Sequence, residues 1–135
     1  MANAMYDKGR EGFLDGSIDY DTDTIKAVLV DTGAYTVDLA THQFLSDIAA
    51  GARIATSGAL ASKTVTAGVA DAADITITAV TGATVEAIVL YKDTGSAATS
   101  RLICYIDTAA GLPLTPNGGD VTLQWDNGAN KIFKL

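Results

Sequence analysis

His42 is the only histidine and Cys104 the only cysteine in 135 residues, so acid–base, nucleophilic and metal chemistry must be built from few parts. A Ser/His/Asp trio can be assembled from Ser46 or Ser57, His42 and Asp47. Any chain of this size offers such trios, and no G-x-S-x-G elbow leads into a helix. His42 is therefore read as capping or solvating a helix start rather than as a general base. Tetrahedral zinc needs several Cys and His ligands, which one of each does not supply. Cys104 has no partner for an internal disulfide and sits in Leu102-Ile-Cys-Tyr-Ile106, where it reads as a small buried hydrophobe.

Carboxylates are more plentiful. Asp19, Asp21 and Asp23 are spaced two apart, as in a calcium loop, but the sixth position is Thr24 rather than Gly and the twelfth is Val30 rather than Glu. A solvated acidic turn is the favoured reading, with a calcium site of another type left open. Sixteen acids permit a glycosidase pair by count alone, yet one Trp offers little for stacking a sugar. Asn117-Gly-Gly-Asp120 lacks the Lys and the following helix of a phosphate loop. The expectation is a protein with no catalytic residue, no cofactor and no metal.

Nine basic residues against sixteen acidic ones give a net charge of −7, and the basic ones are scattered singly. Phosphate backbones reward clustered cations, so nucleic acid is not an expected partner. The apolar runs are far too short to span a membrane, and no secretory signal is expected at the start.

The elements that would position these residues are mostly strands. Thr24–Val30 ends in the turn signal Asp31-Thr-Gly33, and further strands are expected at 53–56, 59–66 and 74–80. Residues 85–91 and 101–106 are apolar on both pleat faces, which predicts central strands covered on each side. Val121, Leu123 and Trp125 alternate with polar residues, and Asn127-Gly128 predicts a type I′ hairpin into residues 131–135. Residues 42–48 predict a short internal helix capped by Thr41. Residues 2–14 predict either a short helix stopped at Gly16 or an extended arm, with Gly9 and Gly12 weakening the helix. The expected fold class is all-β, a sandwich or barrel-like domain over 17–135 preceded by that segment at 1–16. Residues 108–119, with Pro113, Pro116 and three glycines, predict a loop that is either an ordinary surface connection or a contact loop.

Several phrases are specific as a set: Gly16-Ser-Ile-Asp19, Asp23-Thr-Ile-Lys-Ala-Val-Leu-Val-Asp-Thr32, Tyr91-Lys-Asp-Thr-Gly-Ser-Ala-Ala-Thr-Ser-Arg-Leu-Ile103, Pro116-Asn-Gly-Gly-Asp-Val121 and Trp125-Asp-Asn-Gly-Ala-Asn-Lys-Ile-Phe133. Over nearly the whole chain they resemble a family of small structural proteins of tailed phages and prophages. The resemblance implies a virion component without an active site. It implies, first, a capsid decoration (cement) protein assembled in the host cytoplasm, which binds the outside of the major capsid protein shell and self-associates, as a trimer for example. A tail or baseplate component and a surface carbohydrate- or receptor-binding module are the alternatives, with a small hydrolase ranked last. The residues expected at protein contacts are Tyr6 and Phe13, and Leu112, Pro113, Leu114 and Pro116 of the late loop.

Overall fold

The β-branched and aromatic residues of the middle and late sequence favour a pleated, buried surface, and they form the central strands of a computed structural model that describes residues 3–135. The strands are β1 (Ala4–Met5), β2 (Ile25–Val30), β3 (Arg53–Thr56), β4 (Thr64–Thr66), β5 (Val69–Asp71), β6 (Ile75–Ile77), β7 (Ala87–Lys92), β8 (Leu102–Ile106), β9 (Val121–Leu123) and β10 (Phe133–Lys134). One α-helix, α1, spans Asp7–Asp15, and two single 3-10 turns lie at Leu45–Asp47 and Ala50–Ala52. Among the described residues the strands form antiparallel sheets ordered β1-β8-β7-β2-β3, β10-β5-β4 and β6-β9. The fold is all-β, as the sequence predicts; of the alternatives for the first segment the helix is present, while the internal helix is reduced to a 3-10 turn.

Successive side chains of a strand point to opposite faces, and both faces of the five-stranded sheet are buried. Ile25, Ala27 and Leu29 of β2 join Ile88 and Leu90 of β7 in one core, which the two smaller sheets cover with Ala70, Ile77, Leu123 and Phe133. Val28 and Val30 join Ala87, Val89 and Tyr91 in a second core on the opposite face. That core is closed by Tyr6 and by Tyr35, Leu45, Ile48 and Ala52 of the long connection between β2 and β3. The doubly apolar pattern of residues 85–91 and 101–106 has its cause here.

The segment before residue 17 is neither a free arm nor an isolated helix. Ala4 and Met5 pair with Tyr105 and Cys104 at the sheet edge, Tyr6 N–H donates to the Ile103 carbonyl at 3.0 Å, and α1 follows. A Cβ on Gly9 would stand 2.7 Å from the Ile103 oxygen and 2.8 Å from that of Leu102. The glycine that weakens helix propensity is therefore what lets α1 lie directly on the β8 backbone. Gly16 ends the helix at φ 81°, the left-handed cap expected of it. Met1 and Ala2 lie outside the described residues.

Three local expectations are corrected. The hairpin at Asn127-Gly128 is absent: β9 pairs with β6, and β10 pairs with β5. Asp126 Oδ1 accepts from Gly128 N–H at 3.2 Å, forming a side-chain-closed turn, while Trp125 is turned inward by bonds to Asp74 and Ala73. The helix expected at 42–48 shrinks to the 3-10 turn because its backbone groups are already taken. Leu45 N–H donates to Ser100, Ser46 N–H to Ala97, and the Gln43 carbonyl accepts from Leu102. Asp47, not Thr41, closes this turn, accepting from the N–H groups of Gln43 and Phe44 at 2.7 and 3.0 Å. The strand expected at 59–66 is confined to β4, and Leu60 N–H is held instead by the Ile25 carbonyl.

Candidate interaction surfaces

The residues with reactive side chains are engaged in holding the fold. Asp38 N–H donates to His42 Nδ1 at 3.2 Å, which assigns that nitrogen as an acceptor. The Tyr35 hydroxyl then donates to the same nitrogen at 2.8 Å, and Tyr6 donates to the Tyr35 oxygen at 2.9 Å. His42 thus terminates a hydrogen-bonded line from the second core instead of capping a helix. Burial pushes the Tyr35 hydroxyl up to about 12 and raises that of Tyr6 well above the usual tyrosine range, so both stay protonated donors. Ser57 Oγ accepts from Ala27 N–H at 2.9 Å and donates to the Gly58 carbonyl at 2.7 Å. Its bonds run to these backbone groups and not to His42. Cys104 is 2% exposed, and burial pushes its thiol up to about 12. This is the buried hydrophobe read from its neighbours.

The acidic turn is likewise absorbed. Asp23 pairs with Lys92 at 3.2 Å and accepts from Asp19 N–H at 2.7 Å, and the Lys63 ammonium donates to its carbonyl. The proximity of Asp19 and Asp21 lowers the Asp19 carboxyl below its ordinary range and raises that of Asp21. Among the described residues no group of three His, Cys, Asp or Glu is arranged to hold a metal ion.

The residues expected at contacts divide. Tyr6 is fully buried and joined to Tyr35, so it serves the second core and presents nothing to a partner. That expectation is corrected: an aromatic next to a polar start resembles an exposed anchor until the sheet that covers it is known. Phe13 is half-buried, its ring 5.7 Å from that of Phe133. Leu112 and Leu114 pack partly against the first core, and Leu114 exchanges both backbone bonds with Val85, at 2.7 and 2.8 Å. Pro113 is exposed and Pro116 half-buried. The late loop is therefore pinned to the body rather than free.

Apolar concavities open on two sides of the described residues. The larger, about 640 Å³, runs between residues 106–114 and β9, is floored by Leu29 and Ile88, and has Leu112, Leu114 and Trp125 in its wall. The Trp125 indole is 8% exposed and donates to the Ala73 carbonyl at 3.1 Å, so no free aromatic plate is offered there. The smaller, about 380 Å³, is bounded by Phe13, Ile18, Val65, Val69 and Leu135, with Asp19 and Asp21 at its rim. Three large apolar side chains stand well out in solvent: Leu14 at 89%, Val65 at 55% and Leu135 at 58% exposed. Two of them line the smaller groove. Sequence reading missed these, although a Val between two threonines on a short strand is the pattern of an edge strand with one apolar face.

A search of family models and of curated proteins finds no match to the chain. Among the described residues, no helix is long and apolar enough to cross a membrane.

Proposed function

We propose that the protein is a decoration protein of a tailed-phage capsid, binding the outer face of the major capsid shell and stiffening it through protein–protein contacts. The observation that carries this reading is the division of labour on the surface. His42 and Ser57 are spent on internal hydrogen bonds and Cys104 is buried, while the solvent-facing features left over include exposed Leu14 and an apolar groove lined by exposed Val65 and Leu135. Exposed apolar patches rimmed by polar groups mark protein contacts. A net charge of −7 suits the outside of a shell better than its DNA-filled interior. The mechanism is additive. Binding to the assembled shell and not to free subunits stabilises the shell by mass action, and icosahedral repetition multiplies a modest gain at each site.

The carbohydrate-binding alternative loses its main support, since the single Trp is buried and bonded. Quantitative mass spectrometry of purified virions tests the proposal. Copy numbers comparable to the major capsid protein are expected; a few copies per particle would move the protein to the tail or baseplate.

A further inference from the structure

The three-stranded sheet carries an apolar face that outruns its cover. Phe133 of β10 is paired with Ala70 of β5, and Ala70 with Val65 of β4, so the three side chains line up across one face. At the β10 end that face is roofed by Phe13 and by Tyr20, whose ring meets Phe133 edge-on at 5.5 Å. Phe133 and Ala70 are buried, whereas Val65 is 55% exposed. Leu135, two residues beyond Phe133, also stands open. The roof stops one strand short.

β4 is also the sheet's edge. It pairs only with β5, its three residues are all exposed, and no described backbone group bonds to its outer side. An unpaired strand edge beside an uncovered apolar face is what strand addition uses: backbone bonds give the affinity and alternate side chains the specificity. Charge narrows the occupant. The groove's lining has Asp19 and Asp21 but no Lys or Arg, and the nearby Lys63 is committed to the Asp23 carbonyl. Two exposed carboxylates side by side at the rim, with no cation among the lining residues, favour an incoming basic side chain.

We infer that this groove docks an extended segment of the shell protein that alternates apolar and basic side chains, adding as a strand to β4. The inference rests on the shell-binding reading but is tested apart from it. A second copy of this acidic chain is the disfavoured occupant, because it would bring further carboxylates to the rim.

Two measurements decide. In the first, a soluble peptide alternating Val with Arg is titrated into isotope-labelled protein, beside the same peptide with Glu for Arg. Perturbations confined to Val65, Val69, Leu135 and Asp21, seen with the Arg peptide only, are expected. Equal response to both peptides, none, or a response mapping to the Leu112–Trp125 cleft overturns the groove. In the second, wild-type protein, Val65→Asp, Leu135→Asp and Asp19→Lys are pelleted with shells assembled without the protein. Ala98→Asp, at an exposed turn, controls for added charge. Each groove variant should lose about tenfold or more in affinity, as centrally placed contact residues do. Wild type and groove variants binding alike would overturn the inference and leave the shell reading intact. Wild type failing to bind shells while the Arg peptide maps to the groove would sink the shell reading instead. Self-association that Val65→Asp abolishes would assign the groove to a second copy and overturn the inference.

Discussion

Cys104 shows how far neighbours decide chemistry. Flanked by Ile103 and Tyr105 at the centre of β8, its thiol is almost wholly buried and raised to about 12. The thiolate is the reactive form, so native protein should not react with an aromatic disulfide reagent at pH 8, and reaction should appear only with denaturant. A fast native reaction would contradict the described burial. Asp93 supplies the pH dependence. The hydrogen bond from Lys26, 2.8 Å away, together with that from Gly95 N–H, holds its carboxyl below the ordinary value and raises the Lys26 ammonium above its own. A depressed carboxylate contributes stability that is full above the unfolded value, about 4, and lost as pH falls through the folded one. The raised ammonium contributes below its unfolded value of about 10.4 and loses that as pH rises further. Asp93→Asn should therefore flatten melting temperature against pH at both extremes, measured by calorimetry. Cys104 was readable from sequence because a strand apolar on both faces is buried whichever elements cover it. Tyr6 was not, because the sheet and the Tyr35–His42 line that claim it are assembled from residues far along the chain.

At the scale of elements, close approach outweighs propensity. Gly9→Ala should gain about 1 kcal/mol of helix propensity but drive a methyl into two β8 carbonyls. Overpacking of roughly 1–3 kcal/mol should win, read as a lower urea midpoint. At Gly128 the opposite holds. Its φ is not left-handed, and an added Cβ meets only the Asp126 carboxylate end at 2.9 Å. Gly128→Ala should cost well under about 1 kcal/mol in the same assay, where a type I′ turn would suffer more. β7 and β8 were legible because their composition is doubly apolar, and β2 because its apolar run ends at the turn signal Asp31-Thr-Gly33. The final hairpin misled because Asn-Gly reports local turn preference, whereas pairing went to whichever edge buried Phe133 and Leu123 best, namely β5 and β6.

Across the whole molecule, two cores share one sheet. Trp125 and Tyr20 belong to the first core, and the other four tyrosines, Tyr6, Tyr35, Tyr91 and Tyr105, to the second. Neither core can dissolve without stripping β2, β7 and β8, so unfolding should be a single transition. Trp fluorescence and the near-ultraviolet dichroism of tyrosine, measured with Tyr20→Phe so that only second-core tyrosines report, should give coincident midpoints; separated midpoints would mean the cores melt independently. The all-β class and the buried outer face follow from sequence, since alternation and its loss are local signals. The uncovered groove does not, because it depends on where a roof made of α1 and Tyr20 ends.

The pairing of Ala4 and Met5 with Tyr105 and Cys104 carries a temporal consequence. A ribosome makes the first of these strands about a hundred residues before its mate, a delay of roughly 5–20 s at common elongation speeds. Throughout that interval Tyr6 and the Gly9 face of the helix have no seat. Nascent chains arrested before β8 should accordingly leave that leader open to protease, and chains arrested well beyond it should close it off in one step.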